Sequence, residues 1–323
     1  MTHAIRIHET GGPQVLQWEE VEVSAPGAGE VRVRHSAVGL NFIDTYFRSG
    51  LYPLKSLPIT LGMEAAGTVT ETGEGVNGLA VGDRVAYVVG PGAYCEERVV
   101  PAARTLLLPD AIGDETAAAM MLKGTTAEYL VRRTYAVQAG DTVLIHAAAG
   151  GVGLIACQWA SHLGATVIGT VGSAEKAEVA RAHGCDHPIL YRSQSFRDAV
   201  DEITGGVGVP VVYDAVGVDT FDDSIACLAP RGLMVLYGQS SGPPPAFDVQ
   251  RLMPKSLHLT RPSLGAYTSR REDLELSSAS LFDVVASGAV KIEIGQRYAL
   301  GEAAQAHRDL EARRTTGCTV LVP

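Results

Sequence analysis

A glycine-rich break between two apolar runs, LIHAAAGGVGLIACQWA (Leu144–Ala160), leaves few ways for the surrounding chain to fold. The run before the break is typical of a buried strand, and apolar residues resume after it at helical spacing. The register Ala148-x-Gly150-x-x-Gly153 matches the dinucleotide fingerprint, with alanine in place of its first glycine. There, Gly150 lets the backbone approach a pyrophosphate, and Gly153 lets the helix pack closely on the strand. The spacing therefore predicts a phosphate site at a helix N-terminus.

Two patterns of secondary structure divide the chain. Short β-like runs separated by turns fill the first third: Glu30–Ala37, Ala66–Glu71, Asp83–Val89 and Tyr94–Val100. From about Lys123, strands alternate with helices, which is typical of a parallel sheet with crossover helices. The predicted strands are Thr142–His146, Thr166–Val171, His187–Tyr191, Val209–Ala215, Gly232–Gly238 and Ser256–Thr260, and the predicted helices include Gly151–Leu163, Ala174–His183 and Ser195–Thr204. The expected fold class is α/β, and the mixed pattern after Gly265 is consistent with a return to the first domain.

The end of the second predicted parallel strand indicates which dinucleotide binds. NAD binders place an Asp or Glu there to accept hydrogen bonds from the ribose hydroxyls. Here the strand runs into Gly172 and Ser173, without that acid. A small residue followed by Lys176 favours NADPH, because a carboxylate would repel the 2′-phosphate that a lysine attracts. The alternative is that Lys176 is an ordinary exposed helix lysine. Three further residues are weaker candidates for the same pocket: Tyr191, Arg192 and Arg313.

Composition narrows the class of protein. A chain of 323 residues that is 46% hydrophobic can bury a large core and is long enough for two domains. No apolar stretch reaches the length of a membrane span and no signal-peptide pattern is present, so a cytoplasmic location is expected. The net charge of −10 disfavours binding to nucleic acid or to an anionic membrane. The five cysteines are scattered, so neither a disulfide framework nor a metal finger is expected.

Several separated segments together resemble one family. NFIDTYFRSGLY (Asn41–Tyr52), HAAAGGVGLIACQWA and VVYDAVG (Val211–Gly217) closely resemble the zinc-free quinone oxidoreductases, the zeta-crystallin-like branch of the medium-chain dehydrogenase/reductase superfamily. TRPSL (Thr260–Leu264) and EARRTTG (Glu311–Gly317) extend the similarity over nearly the whole chain, and it is greatest to the bacterial NADPH:quinone reductases. The resemblance implies a GroES-like β-rich catalytic domain and a Rossmann doubly wound parallel-sheet domain that binds NADPH. It assigns residues 1–123 and 265–323 to the former and 124–264 to the latter, and implies a homodimer formed through the Rossmann domains.

The resemblance also implies the site residues. The positions that line the nicotinamide and substrate cleft in the family are Asn41, Tyr46 and Tyr52. Without the family, local packing around Gly50 would be the simpler explanation of the two tyrosines. Together with the fingerprint, the family's cofactor contacts fall on Asn41, Thr126, Ala148, Gly150, Gly151, Val152, Gly153, Gly172, Ser173, Lys176, Tyr191, Tyr237, Ser240 and Arg313.

The sequence lacks residues that bind zinc in related enzymes. Zinc-bearing relatives hold the ion with a cysteine and a His-Glu pair in the first domain. In this chain Asn41 or a neighbour occupies the cysteine position, and the family's Gly-His-Glu reads Gly62-Met63-Glu64. Methionine cannot replace that imidazole, and none of the nine histidines forms an HExxH pair. No metal is therefore expected.

Without a metal, the natural hydride acceptors are carbonyl compounds that are already electrophilic. The sequence predicts transfer of hydride from NADPH to a quinone, oriented by the tyrosines and Asn41. An NADPH-dependent alkenal or enone double-bond reductase would share every motif, and a nonenzymatic, crystallin-like cofactor-binding protein is a further alternative. The physiological acceptor, the proton donor and the number of electrons transferred are left open.

Overall fold

The computed structural model describes all residues from Met1 to Pro323, and the chain forms two compact units. The first unit comprises Met1–Lys123, Arg270–Phe282 and Ile292–Pro323, and the second comprises Gly124–Ser269 and Asp283–Lys291. The domain limits expected from the sequence stay a prediction. Every helix is too short or too polar to cross a lipid bilayer.

The elements follow the chain in this order. The strands are β1 (Thr2–Ile7), β2 (Gln17–Val21), β3 (Glu30–Leu40), β4 (Ile59–Thr60), β5 (Glu64–Thr72), β6 (Arg84–Val88), β7 (Glu97–Pro101), β8 (Thr105–Leu107), β9 (Thr142–Ile145), β10 (Thr166–Val171), β11 (His187–Leu190), β12 (Val209–Asp214), β13 (Leu228–Leu236), β14 (His258–Thr260), β15 (Ile294–Ala299) and β16 (Cys318–Val322). The helices are α1 (Phe42–Ser49), α2 (Asp114–Glu128), α3 (Gly151–His162), α4 (Ala174–Ala182), α5 (Phe196–Thr204), α6 (Phe221–Ala226), α7 (Leu264–Tyr267), α8 (Arg271–Ala286) and α9 (Ala303–Glu311). A π-helical turn, Tyr129–Thr134, continues α2, and short 3₁₀ turns cover Pro13–Val15, Ala102–Arg104, Val249–Lys255 and Leu300–Glu302.

The first unit is built mainly of antiparallel sheet. A seven-stranded sheet has the order β15-β16-β3-β5-β6-β8, with β7 also paired to β3, and a smaller sheet has the order β2-β1-β4. The long strand β3 begins with the alternating sequence EVRVR, in which Val31 and Val33 are fully buried. Because alternate side chains of a strand point to opposite faces, this alternation fixes which face of β3 packs on the core.

The second unit contains one fully parallel sheet of six strands in the order β11-β10-β9-β12-β13-β14. This is the doubly wound order 3-2-1-4-5-6 of dinucleotide-binding folds. Strands such as β9 (TVLI) and β10 (TVIGTV) are apolar along almost their whole length, as expected for strands buried on both faces. The expected α/β class is confirmed. The strands are added in one direction from β9 to β11 and in the opposite direction from β12 to β14, so the strand order reverses between β9 and β12.

Candidate functional site

The glycine-rich turn joins β9 to α3. A Cβ on Gly153 would stand 2.2 Å from the carbonyl oxygen of Ala147, so only glycine lets the first turn of α3 lie this close to the turn before it. Gly150 is the N-cap of α3, and no side chain forms a hydrogen bond with this helix end. The first amide groups of α3, including those of Gly151 and Val152, are therefore available to an anion.

The two glycines are expected to respond differently to alanine. Gly153→Ala should lower the free energy of unfolding by about 3 kcal/mol, because the new methyl group overlaps backbone atoms that cannot rotate away. Gly150→Ala is the matched control, because its Cβ would meet the same oxygen at 3.2 Å and its φ of −84° suits any residue. We expect it to cost less than about 1 kcal/mol. Denaturant unfolding of both variants measures the difference, and equal stability would contradict this account of Gly153.

Four of the predicted cofactor residues meet at the carboxyl end of β10. Gly172 follows the strand, and Ser173 caps α4 by accepting a hydrogen bond from the Lys176 backbone N–H at 3.3 Å. The Tyr191 hydroxyl lies 3.3 Å from where a Cβ on Gly172 would stand, and Arg192 Nε lies 3.7 Å from it. The Tyr191 phenol and the Arg192 guanidinium therefore border Gly172, and Lys176 lies in the first turn of the helix that follows.

The acid in the first turn of α4 is Glu175, which lies beyond the end of the strand. Its side chain is exposed, and its pKa is lowered chiefly by a hydrogen bond with Ser173. The strand end itself carries no carboxylate.

The remaining predicted cofactor residues lie in other elements. Tyr237 and Ser240 follow β13, and their backbone N–H groups donate to Asp214 O, at the end of β12, and to Ala215 O, in the loop after it. Thr126 is buried in α2. Arg313 belongs to the first unit, follows α9 and has a φ of 59°.

The three predicted catalytic residues lie on one short segment of the first unit. Asn41 has an extended backbone and is the N-cap of α1. Tyr46 lies on α1, and its ring centroid is 5.2 Å from that of Tyr52 with an interplanar angle of 60°. Gly50 ends the helix with a φ of 82°, and the Tyr52 N–H then donates to Tyr46 O at 3.0 Å. The turn that glycine permits brings the two half-buried phenols together.

A buried ion pair contacts Asn41. Glu64 is fully buried, and its Oε1 accepts hydrogen bonds from Lys123 Nζ at 2.7 Å and from Asn41 Nδ2 at 2.8 Å. Its Oε2 accepts from the Leu122 N–H at 2.5 Å. Burial opposes a charge on Lys123, but the attraction of Glu64 outweighs it and raises the pKa of Lys123. Sequence reasoning missed Lys123, although a lysine inside the apolar run AAAMMLK needs a buried partner.

Further buried polar groups adjoin this segment. Asp44 Oδ2 accepts from the Asn41 backbone N–H at 2.9 Å and from the Tyr94 hydroxyl at 2.8 Å. His307 Nε2 lies 3.1 Å from that hydroxyl, and Arg48 Nη1 lies 2.9 Å from His307 Nδ1. Burial raises the pKa of Asp44 to about 7 and, together with Arg48, lowers the pKa of His307 to about 3. These residues, also missed from the sequence, hold the backbone around Asn41 in place.

Asp44→Asn is expected to stabilise the protein increasingly as the pH rises. The folded state keeps the Asp44 proton up to about pH 7, whereas the unfolded chain releases it near 3.8. The unfolded state therefore binds fewer protons in this interval, and the wild-type free energy of unfolding falls as the pH rises through it. We expect the variant's advantage to grow by about 2 kcal/mol between about pH 5 and about pH 8. Urea unfolding measures it, with exposed Asp110→Asn as control, and a pH-independent difference would refute the assignment.

The side chains do not supply a metal site. No group of three or more His, Cys, Asp and Glu residues is arranged to hold a metal ion. All five cysteines are free and buried. At the positions where zinc-bearing relatives have ligands, Glu64 is already bound by Lys123 and by the amide of Asn41.

Comparison with known proteins shows similarity along the entire chain. Residues 27–137 match the family described as Alcohol dehydrogenase GroES-like domain, and residues 151–279 match Zinc-binding dehydrogenase. The chain is 51% identical to a quinone oxidoreductase of Pseudomonas aeruginosa, with 100% of each chain covered. It is 48% identical to a 2-haloacrylate reductase of a Burkholderia species, over 100% of this chain and 99% of the relative. The crystal structure of Escherichia coli quinone oxidoreductase complexed with NADPH matches it with a TM-score of 0.98 and 48% identity, over 99% of this chain and 100% of the other.

Proposed function

This chain belongs to the quinone oxidoreductase family of the medium-chain dehydrogenases and reductases, and on that basis we propose that it is an NADPH-dependent quinone reductase. The expected family and the expected pairing of a GroES-like domain with a Rossmann-type domain are confirmed. One observation carries the choice of cofactor. The strand end at Gly172 lacks a carboxylate and has Tyr191 and Arg192 beside it, with Lys176 in the first turn of the following helix, which suits a phosphate on the ribose.

The side chains fit NADPH, which supplies a hydride when bound. The N-terminus of α3 binds the pyrophosphate through its backbone amides, and Gly153 allows that helix to stand close to β9. Ser173, Lys176 and Tyr191 hold the 2′-phosphate. The other cofactor residues in the proposal are Asn41, Thr126, Ala148, Gly150, Gly151, Val152, Gly172, Tyr237, Ser240 and Arg313.

The proposed substrate-facing groups are Asn41, Tyr46 and Tyr52. A quinone accepts hydride because the added electrons delocalise onto its oxygens, and the protein then has to orient the ring and stabilise the developing negative charge. Asn41 Nδ2 donates to Glu64 Oε1 at 2.8 Å and to Gly39 O at 3.5 Å, which engages both of its N–H groups, so the proposed donors to the quinone oxygens are the two phenols. Their rings lie at 60° to each other and form an apolar wall beside these hydroxyls.

We also propose that the reaction needs no zinc. The family match named Zinc-binding dehydrogenase raises the question, but the donor set does not fit the ion. Asn41 or a neighbour replaces the cysteine, Met63 replaces the imidazole, and the remaining carboxylate, Glu64, is paired with Lys123 at 2.7 Å.

Removing both hydroxyls tests the proposed role of the tyrosines. The double variant Tyr46→Phe/Tyr52→Phe should lower kcat/KM for 1,4-benzoquinone about 10-fold or more while leaving NADPH affinity unchanged, because only the charge developing on the quinone loses its donors. Stopped-flow loss of NADPH absorbance measures the rate. Tyr298→Phe is the control, since that hydroxyl donates to Asp309. A double variant as fast as wild type would remove the phenols from the mechanism.

A second candidate is reduction of the carbon–carbon double bond of a 2-haloacrylate or 2-alkenal. The relative named 2-haloacrylate reductase, at 48% identity over the full chain, favours it. An electrophile panel containing 1,4-benzoquinone, a 2-alkenal and a 2-haloacrylate, run with NADPH and NADH in parallel, separates the two. Faster turnover of the alkenes would replace the quinone assignment, and binding of NADPH without turnover of any compound would indicate a nonenzymatic protein.

Three further proposals concern the setting of the enzyme. The domain assignment is GroES-like catalytic for residues 1–123 and 265–323 and NADPH-binding for residues 124–264. A homodimer through the second units is supported by β14, which ends the parallel sheet with one unpaired edge. A cytoplasmic location is supported by the five free thiols, which suit a reducing compartment.

A further inference from the structure

Four buried side chains form a hydrogen-bonded chain across the carboxyl edge of the parallel sheet. Thr170 lies near the end of β10, His146 follows β9, and Asp214 ends β12, so the chain joins three adjacent strands. Thr170 Oγ1 is 2.9 Å from His146 Nδ1, and His146 Nε2 is 2.9 Å from Ser224 Oγ on α6. Ser224 Oγ is in turn 3.0 Å from Asp214 Oδ2. The exposed fraction of each of the four is between 0% and 2%.

With a neutral imidazole, only one arrangement of hydrogens satisfies this chain. The Asp214 carboxylate can only accept, so the Ser224 hydroxyl donates to it and must accept from His146 Nε2–H. His146 Nδ1 then accepts from the Thr170 hydroxyl. Burial lowers the pKa of His146, which agrees with the neutral ring that this arrangement requires. The direction of every bond is therefore set from the Asp214 end.

Asp214 organises the loop that follows β12. Its Oδ1 accepts from the Val216 N–H at 2.7 Å and the Gly217 N–H at 3.1 Å, and its Oδ2 also accepts from the Thr220 hydroxyl at 2.7 Å. Its carbonyl oxygen accepts from the Tyr237 N–H at 2.9 Å. One residue thus ties the loop after β12 to the loop after β13.

These two loops lie against each other over several residues. The Ser240 N–H donates to Ala215 O at 3.1 Å, and Gly217 pairs with Gly242 as a parallel bridge. Gly217 has a φ of 95°, and a Cβ there would stand 2.3 Å from Gly242 O, so glycine is required for this approach. The position of Ser240 therefore depends on the loop that Asp214 holds.

The location of the chain connects it to dinucleotide binding. In open parallel sheets the ligand lies outside the carboxyl ends of the strands, where the strand order reverses. Here that point is between β9 and β12. His146 follows β9, and Asp214 is the last residue of β12. On one side Thr170 leads into Gly172 at the proposed 2′-phosphate pocket, and on the other Asp214 leads into the loops of Tyr237 and Ser240.

We propose that Thr170, His146, Ser224 and Asp214 act as one positioning unit for the cofactor. Through the neutral imidazole, the unit holds the loops at the two ends of the dinucleotide in register, although none of its members touches the cofactor. The inference rests on the proposed function, because it takes NADPH as the ligand of this edge.

NADPH affinity in single and double variants tests the unit. Thr170→Val and Ser224→Ala remove one hydroxyl each, from opposite sides of His146. Each is expected to raise the Kd for NADPH, measured by fluorescence titration of the full chain, about 5-fold to 10-fold. Because either change breaks the same chain, the double variant should be no weaker than about 10-fold, whereas independent effects would multiply to about 25-fold or more. Thr170→Ser keeps the hydroxyl and should bind within about 2-fold of wild type.

The control is Thr268→Val, a buried threonine of the same unit whose hydroxyl donates to Leu264 O at 2.9 Å. It should leave the NADPH affinity unchanged. Multiplicative effects, or variants that bind as wild type does, overturn the positioning unit while the proposed function stands. Failure of the wild-type protein to bind NADPH overturns both. If the double variant does not fold, the Thr170→Val and Thr170→Ser pair decides, and equal weakening by the two refutes the role of the hydroxyl.

Discussion

Lys123→Met is expected to lower the free energy of unfolding by about 3–5 kcal/mol, the largest stability effect of any single substitution considered for this chain. The ammonium group is the only cation hydrogen-bonded to Glu64, and the exposed fractions of the two residues are 5% and 0%. Methionine fills a similar volume but leaves the carboxylate charged in a medium of low polarity, where only the Asn41 side chain and the Leu122 N–H still bind it. Guanidinium chloride unfolding of the purified variant measures the loss.

A double variant separates the lost charge partner from lost packing. Lys123→Met/Glu64→Gln removes both charges, and it should be at least about 2 kcal/mol more stable than Lys123→Met alone, because no unpaired charge stays buried. The control is Lys55→Met, at an exposed lysine of the same unit, which should change stability by less than about 0.5 kcal/mol. A double variant less stable than Lys123→Met would show that the carboxylate does not need its cation.

Lys176→Ala is expected to raise the KM for NADPH about 10-fold to 100-fold while leaving the KM for NADH within about 3-fold of wild type. A charged hydrogen bond to a phosphate contributes about 1.5–3 kcal/mol. NADH has no 2′-phosphate, so the variant loses no such hydrogen bond to it. Lys176 is half-buried beside Ser173, which limits how freely water can replace it. Steady-state kinetics with both cofactors and one saturating quinone give the two ratios.

The matched control for Lys176 is Lys291→Ala, an exposed lysine in the same compact unit. It carries the same charge and should alter neither KM, so a general effect of net charge would appear in both variants. Equal loss of NADPH and NADH affinity in Lys176→Ala would mean that the lysine acts through the fold of α4. An unchanged NADPH preference would transfer the role to Arg192, whose Nε lies 3.7 Å from the Cβ position of Gly172.

The parallel sheet was the part of the fold most open to prediction. β10 has the predicted limits, Thr166–Val171, because a run of β-branched residues bounded by glycine has few other conformations. The sequence predicts a strand at Gly232–Gly238, whereas β13 spans Leu228–Leu236. Pro230 and Gly232 argue against a strand, yet the strand continues through them with an irregular register and a positive φ of 65° at Arg231. Tertiary pairing overrides local preference there.

The short helix α1 was not predicted from NFIDTYFRSGLY, although it carries Tyr46. Its N-terminus is stabilised by Asp44, whose side-chain oxygen Oδ2 accepts from the Asn41 N–H three residues earlier. An Asn followed by an Asp at this spacing is a helix-start signal, but a helix of only Phe42–Ser49 is too short for periodicity to reveal.

The partners of the buried charges Lys123, Glu64 and Arg48 could not be identified from the sequence. Lys123 and Glu64 are separated by 59 residues, and Arg48 and Glu311 by 263, so no spacing rule connects them. The sequence does show which charged residues lie within apolar runs, as Lys123 does. That signal indicates that a partner exists, but the partner is set by which strands and helices the fold brings together.

The burial of all five cysteines has a chemical consequence for an enzyme of this kind. Quinones and enals alkylate thiolates, so a protein that works among them risks being inactivated by what it consumes. Burial raises the pKa of Cys95 and Cys227 to about 12 and that of Cys318 to about 11, which keeps these thiols protonated as well as out of reach. The chain therefore offers such electrophiles no cysteine thiolate at its surface to alkylate.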